Sequence, residues 1–128
     1  MKADDYFKQG KVCVWKETFA VIKSKKTDGR AFANIIDKKE ITLIINQSLY
    51  DEQNVISISK DWKLLTFDMV LPFELVGFLA KVSIALAQND ISIFALSSYS
   101  TDHILVKKKD LAHTIQTLNE LGCTIIEK

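Results

Sequence analysis

The chain has few of the residues on which several common protein functions depend. Arg30 is its only arginine, although lysine and arginine together number 17. Phosphate groups and guanine edges are usually bound by the planar, two-pronged guanidinium of arginine, which lysine lacks. The scarcity of arginine therefore counts against phosphoryl transfer and nucleic-acid binding.

Cysteine, proline and glycine are scarce too, with two, one and four residues in the 128-residue chain. Cys13 and Cys123 are too few and too far apart for a disulfide scaffold or a zinc site, and each lies in an apolar, strand-like segment. We expect both thiols to be buried and reduced. The sequence contains no glycine-rich phosphate loop, HExxH or CxxC motif. It therefore predicts no cofactor and no metal site.

Long hydrophobic runs and a dominant charge are also missing. The longest apolar stretch, Leu75–Ala87, is interrupted by Lys81 and Ser83 and is far shorter than the roughly 20 residues of a membrane span. The net charge is +1, so no overall field attracts nucleic acid or an anionic membrane. Residues 1–11 carry acidic side chains and no apolar segment typical of a secretory signal. We expect a cytoplasmic protein with no nucleic-acid or membrane partner.

The first half of the chain is predicted to form short strands after an N-terminal extension of residues 1–10. Polar segments separate four runs rich in β-branched and aromatic residues, and residues 46–54 are compatible with one short helix. The four runs are Val12–Trp15, Phe19–Lys23, Ile41–Ile45 and Val55–Ile58.

The second half begins with a longer predicted strand, Trp62–Val70, followed by a helix from about Pro72 to Asn89. Proline is tolerated in the first turn of a helix, and Glu74 would favour the helix dipole there. Apolar positions wrap most of this helix rather than one stripe. We therefore expect it to be buried on two sides, by its own sheet and by a second unit or subunit.

The remaining elements complete a recognisable order. A strand near residues 91–96, a turn at Tyr99–Asp102 and a strand at Ile104–Lys107 precede an amphipathic helix that ends before Gly122, and a strand at Cys123–Ile126 follows. From Trp62 onward the order is β-α-β-β-α-β, the pattern of a ferredoxin-like unit of the α+β class. Residues 11–61 fit the same pattern with the first helix lost or reduced, so the two halves are predicted to be a degenerate tandem repeat.

Two segments of the second half carry a resemblance to a known family. PFELVGFLAKVSIALAQNDISIFAL begins at Pro72, and SSYSTDHILV begins at Ser97. Together they resemble an ACT domain protein, of the stand-alone group with two ACT units that is related to aspartate kinase and to the CASTOR arginine sensors. The resemblance implies two ferredoxin-like ACT units with antiparallel sheets and helices on one face. The first unit would be residues 11–61, degenerate, and the second residues 62–128.

The resemblance also implies a ligand site. The family binds small molecules where the loop after the first strand enters the first helix, and Gly77 falls at the matching position, where free N–H groups favour a carboxylate. Gly77 would otherwise merely permit close helix packing. Asp102 matches the aspartate that faces the ligand in the arginine sensors and would accept hydrogen bonds from an ammonium group. It would otherwise bond its own turn backbone.

Eight further residues complete the predicted ligand site. Each has a plainer interpretation, because hydroxyl residues beside a turn often cap the backbone and aromatic residues often fill a core. They are Phe73, Glu74, Val76 and Phe78 at the helix entry, Ile93 and Phe94 on the following strand, and Ser98 and Thr101 in the turn.

Catalysis receives little support from the sequence. His103 and His113 have no cysteine or serine partner at a recognisable motif spacing. An acylphosphatase-like enzyme would need a positioned arginine in a glycine-bearing loop, for which Arg30 in TDGRAF is the one candidate. An RNA-binding sheet would need an RNP-like aromatic run that ISIFALSSY lacks.

We therefore expect a non-enzymatic regulatory or sensor protein that binds a small molecule, most simply an amino acid, between ACT units. The partner would be a second copy of the chain in a homodimer. The alternative is a ligand-independent interaction or homodimerisation module that pairs through exposed strand edges.

Overall fold

The computed structural model describes residues 3–127 and has an α+β fold, which confirms the predicted class. Residues 1 and 2 of the predicted extension and residue 128 of the predicted second unit lie outside the described residues. The elements are α1 Ala3–Gln9, β1 Lys11–Ser24, β2 Ala33–Ile36, β3 Ile41–Asn46, β4 Val55–Phe67, α2 Phe78–Gln88, β5 Ile93–Ser97, β6 Asp102–Lys107, α3 Leu111–Glu120 and β7 Thr124–Glu127. Short 3₁₀ turns cover Glu52–Asn54 and Lys108–Asp110.

The chain forms two compact units. The larger unit contains the chain up to Lys16 together with the chain from Lys63 onward, and the smaller unit is Glu17–Trp62. Strands β1 and β4 contribute residues to both units. The smaller unit thus lies within the sequence of the larger one, whereas the sequence predicted two consecutive units, 11–61 and 62–128. The assignment of an ACT unit to each half remains a prediction.

The larger unit has the strand order β7-β1-β4-β6-β5. Residues 62–127 supply the predicted β-α-β-β-α-β order, but β7 does not pair with β4, because residues 11–14 of β1 lie between them and pair with β7 in parallel. Two backbone hydrogen bonds, Lys25 N to Asn54 O and Asp68 N to Lys11 O, show that β1 and β4 are antiparallel. The β5–β6 pair is antiparallel as well. Of the pairs β1–β4, β5–β6 and β1–β7, only β1–β7 is parallel.

One face of this sheet is covered by α1, α2 and α3, which confirms the predicted helices on one face. Alternating residues of β1, β4 and β6 point to the helices because side chains alternate along a strand. Phe7, Phe78, Val82, Leu86 and Leu118 supply the helical side of the core. The strand side is Val12, Val14, Leu65, Phe67, Ile104 and Val106. This core fixes the start of α2 against the sheet.

The smaller unit is built from β2, β3 and the adjoining parts of β1 and β4. Its pairs β1–β3 and β2–β3 are antiparallel. Ala20, Ile22, Leu43 and Ile45 form its buried core. The short helix predicted for residues 46–54 is reduced to the 3₁₀ turn.

The predicted start of the long helix is wrong. Residues 73 and 74 lie in a turn, with Leu75 N donating to Pro72 O at 3.0 Å, and α2 begins only at Phe78. Gly77 has φ 88°, a left-handed conformation that an α-helix cannot continue through. Pro72 and Glu74 are therefore loop residues and not part of a first helical turn.

The second face of α2 is open in the described chain. Phe78, Val82 and Leu86 are buried, as expected for the sheet-facing side, but Ile84 is 58% exposed. The predicted second cover of this helix is thus not provided within residues 3–127.

Both cysteines are buried, as predicted, and burial raises the pKa of the Cys123 thiol to about 11.

Candidate functional site

A cavity of about 330 Å³ lies in the larger unit between the entry to α2 and the β5–β6 turn. We call it the α2 cavity. Its wall at the helix entry is Leu71, Pro72, Phe73, Leu75, Gly77, Phe78, Leu79 and Ala80, and its wall at the turn is Ser97 to Asp102. The volume is at the lower end of the range for ligand pockets. The cavity suits a small metabolite better than a nucleotide.

The two walls are fastened to each other at two points. Leu71 N donates a hydrogen bond to Ser100 O at 2.8 Å. Phe73 packs edge-on against Tyr99 with ring centroids 4.9 Å apart. The loop before α2 and the β5–β6 turn are therefore held at a defined separation.

Gly77 caps the N-terminus of α2. The first helical bond that it accepts is from Lys81 N, at 3.0 Å, so the N–H groups of residues 78–80 belong to the helical turn that has no intrahelical acceptor. A Cβ on Gly77 would have no neighbour within 4 Å. The glycine is therefore required by its backbone conformation and not by close helix packing, which was the plainer interpretation of this residue.

Asp102 lies at the start of β6, directly opposite Ser97 on β5. The Ser97 hydroxyl donates a hydrogen bond to Asp102 Oδ1. The turn itself is closed by Ser98 N donating to Thr101 O at 2.9 Å. The Asp102 carboxylate thus accepts a hydrogen bond from a side chain across the hairpin, and this half-buried residue lines the cavity.

His103 connects the turn wall to the centre of the sheet. Its Nδ1 lies 2.9 Å from Thr66 Oγ1, which also accepts a hydrogen bond from Trp15 Nε1 at 2.9 Å. Its Nε2 lies 3.0 Å from Ser98 Oγ. Burial lowers the pKa of the imidazole, although the Asp102 charge acts in the opposite direction. His103 is therefore neutral at pH 7.

The structure brings six of the ten predicted ligand residues onto the cavity wall: Phe73, Gly77, Phe78, Ser98, Thr101 and Asp102. Four do not line it. Glu74 and Val76 are exposed, since the loop before α2 turns them outward. Ile93 and Phe94 are half-buried on β5, farther along the strand from the turn.

Sequence reasoning missed several lining residues and the role of His103. Leu75 and Leu79 were predicted to be apolar positions of the helix, and Leu71 lay between the predicted strand and helix. Ser97, Tyr99 and Ser100 were not chosen although they belong to the SSYSTDHILV motif. Taking the whole motif as the turn wall would have found them. Side chains alternate along a strand, and Ile104 faces the helices. This alternation was the available signal that His103 points to the opposite face of the sheet.

Arg30 does not occupy a phosphate-binding loop. Its guanidinium forms two hydrogen bonds with the Asp28 carboxylate, at 3.1 and 2.8 Å, and an ion pair with Asp51 at 3.4 Å. The hydrogen bond with Arg30 lowers the pKa of Asp28 to about 2. The arginine thus ties its own loop together in the smaller unit.

Within residues 3–127, no cluster of three or more His, Cys, Asp or Glu is placed to hold a metal ion. No helix in that range is long and apolar enough to cross a membrane.

The ACT domain profile matches residues 57–120, half of the chain and all of the elements around the α2 cavity. The protein therefore belongs to the ACT domain family, as the sequence predicted. No protein of curated function matches the sequence.

Several solved structures share the fold. A protein from Agrobacterium tumefaciens has a TM-score of 0.80 and 19% identity, covering 93% of this chain and 93% of that chain. A protein of unknown function from Vibrio cholerae, described as a possible transport protein, has a TM-score of 0.74 and 19% identity, covering 91% and 92%. The regulatory subunit of aspartate kinase from Thermus thermophilus has a TM-score of 0.63 and 10% identity, covering 88% and 96%. At these identities the likeness establishes the fold.

Proposed function

We propose that the protein is a non-enzymatic regulatory sensor that binds an amino acid in the α2 cavity. ACT domains and the regulatory domains of aspartate kinase are its family and its structural neighbours, and these support a regulatory, ligand-binding role. The observation that carries the proposal is the pairing of a helix N-terminus with a carboxylate across one cavity.

The two ends of the cavity have opposite polarity. The N–H groups at the start of α2 and the positive end of its dipole favour a carboxylate. On the facing wall Asp102 favours an ammonium group or a cationic side chain. A zwitterion with these two groups a few bonds apart satisfies both ends. An amino acid is the simplest metabolite of this kind.

The proposed site lies at an interface with another ACT unit, in a homodimer. Two exposed apolar residues line the cavity, Phe73 at 72% and Tyr99 at 82% exposed. Two residues near the same loop in sequence, Val70 at 73% and Val76 at 86%, are exposed as well. Exposed apolar groups of this density often mark an interaction surface. A ligand bound there would change the association of the copies by the difference in its affinity for the free and associated forms.

Thermal unfolding in the presence of each of the twenty amino acids tests the ligand. A ligand at a hundred times its dissociation constant contributes roughly 2.7 kcal/mol, which raises the midpoint of a chain this size by several degrees. We expect a selective rise with one amino acid or a chemically related few, lost in Asp102→Ala. No rise with any of them at 10 mM would contradict amino-acid binding.

The second candidate is a ligand-independent homodimerisation module, favoured by the same exposed apolar residues. Sedimentation of the wild type and of Asp102→Ala, each with and without amino acids, separates the two functions. A module gives the same oligomeric state in all four samples. In a sensor, the oligomeric state measured by sedimentation, or the stability measured by thermal unfolding, depends on the amino acid in the wild type alone.

A further inference from the structure

Behind the α2 cavity, hydrogen-bond contacts connect Trp15, Thr66 and His103, and Trp15 is the donor at one end. An indole N–H can only donate, so Thr66 Oγ1 accepts from Trp15 Nε1. The same hydroxyl also contacts His103 Nδ1, at 2.9 Å. When the Thr66 hydroxyl proton points to Nδ1, each donor from Trp15 to His103 meets one acceptor, and in this arrangement Nδ1 is the unprotonated nitrogen.

A neutral imidazole carries one proton. With Nδ1 as acceptor, that proton is on Nε2, which lies 3.0 Å from Ser98 Oγ and 3.4 Å from Thr101 Oγ1. Nε2 thus donates to the hydroxyl pair formed by Ser98 and Thr101. The opposite tautomer would place two donors on Thr66 Oγ1 and turn the Thr66 proton away from the ring.

The tautomer decides what the hydroxyl pair offers to the cavity. Ser98 Oγ and Thr101 Oγ1 are 2.7 Å apart, so one hydroxyl proton lies between them. The pair has two protons, and the second cannot go to Nε2 when Nε2 is protonated. The backbone acceptor Thr101 O is 3.3 Å from Ser98 Oγ, beyond the usual range for an O–H···O bond. The spare proton is available to the cavity that both residues line.

We infer that His103 is a positioning residue for ligand selection. Thr66 holds it as the Nε2–H tautomer, and this tautomer makes the hydroxyl pair of Ser98 and Thr101 a hydrogen-bond donor. The ligand group bound there is therefore an acceptor oxygen. With the opposite tautomer the pair would present acceptors and select an N–H or O–H group. The tautomer follows from the contacts of His103, whereas the nature of the ligand group rests on the proposed function.

The imidazole nitrogen spectrum tests the tautomer directly. The chain has two histidines, so ¹⁵N-labelled His113→Gln protein shows the ring nitrogens of His103 alone. We expect an unprotonated Nδ1 and a protonated Nε2 at pH 7.5. Thr66→Ser, which keeps the hydroxyl, should leave this pattern, and Thr66→Val, which keeps the branched shape, should shift it toward a mixture. A protonated Nδ1 in the Thr66-containing protein would overturn the inference.

The same twenty amino acids test whether the hydroxyl pair donates a hydrogen bond to the ligand. For each that binds the wild type, Thr101→Val should weaken binding by about five- to tenfold, the effect of one lost hydrogen bond, while Thr101→Ser should bind nearly as tightly as the wild type. Unchanged affinity in Thr101→Val would show that it does not. If none of the amino acids binds the wild type, the proposed function and the inference about the ligand group fail together, and the nitrogen spectrum still decides the tautomer.

Discussion

Phe7 of α1 is stacked on Phe78 of α2, with ring centroids 4.7 Å apart and ring planes 6° from parallel. Phe7 is 1% exposed and belongs to the core of the larger unit. Phe78 also contacts Phe67 edge-on at 5.2 Å. The N-terminal residues, which the sequence suggested were a mere extension, thus help to fix the first residue of α2 and with it one wall of the cavity.

Replacing Phe7 with alanine should lower the free energy of unfolding by about 3–5 kcal/mol, since a fully buried aromatic ring is lost and a void remains. Guanidinium denaturation followed by fluorescence measures this change. Gln9→Ala, at an exposed position of the same helix, is the control and should have a small effect. Equal stability of the two variants would show that α1 is not part of the core.

Replacing Gly77 with alanine should cost about 1–2 kcal/mol, because an L side chain disfavours the left-handed conformation at φ 88°. No steric clash is expected, since a Cβ there would have no neighbour within 4 Å. Gly29→Ala is a matched control, because its Cβ would also be free and its φ is not positive. A cost in the control equal to that in Gly77→Ala would contradict the conformational explanation.

Stability should fall as the pH drops below about 6.5, the ordinary pKa of histidine. Burial lowers the pKa of His103 in the folded state, so the unfolded chain binds the proton more tightly. The contribution is fully present above the unfolded pKa and is lost as the pH falls through the folded pKa. Urea denaturation from pH 8 to pH 5 measures the loss.

Two variants separate His103 from the other titrating groups in that experiment. His103→Gln should show a smaller loss of stability between pH 8 and pH 5, since the buried titrating ring is gone. His113→Gln, on the exposed side of α3, should behave like the wild type. The same pH dependence in all three proteins would assign the loss to other groups.

The sequence predicted the elements of the larger unit well because their signals are local. The helical period of Leu111, Ile115 and Leu118 located α3, and the alternation of side chains near residues 91–96 located β5. The start of α2 was misplaced because Pro72 and the apolar residues after it fit a helix as well as a loop, and the left-handed conformation of Gly77 is decided by its surroundings. The parallel pairing of β1 with β7 joins residues more than a hundred positions apart, which no local pattern specifies.

The candidate site could be predicted in part for the same reason. The turn residues Ser98, Thr101 and Asp102 belong to a motif, and the structure places them on one wall. Val76 does not line the cavity, because its direction depends on the turn before α2. The connection from Trp15 through Thr66 to His103 combines three strands, so it becomes visible only when the strand order is known.

We propose above all that an amino acid binds between the start of α2 and the β5–β6 turn. The most direct test is a titration of ¹⁵N-labelled protein with each of the twenty amino acids, followed through the backbone amide signals. We predict saturable shifts for one or a few of them, largest at residues 77–80 and 97–102, and their loss in Asp102→Asn. Saturable shifts confined to other residues, or no shifts with any amino acid, would contradict it.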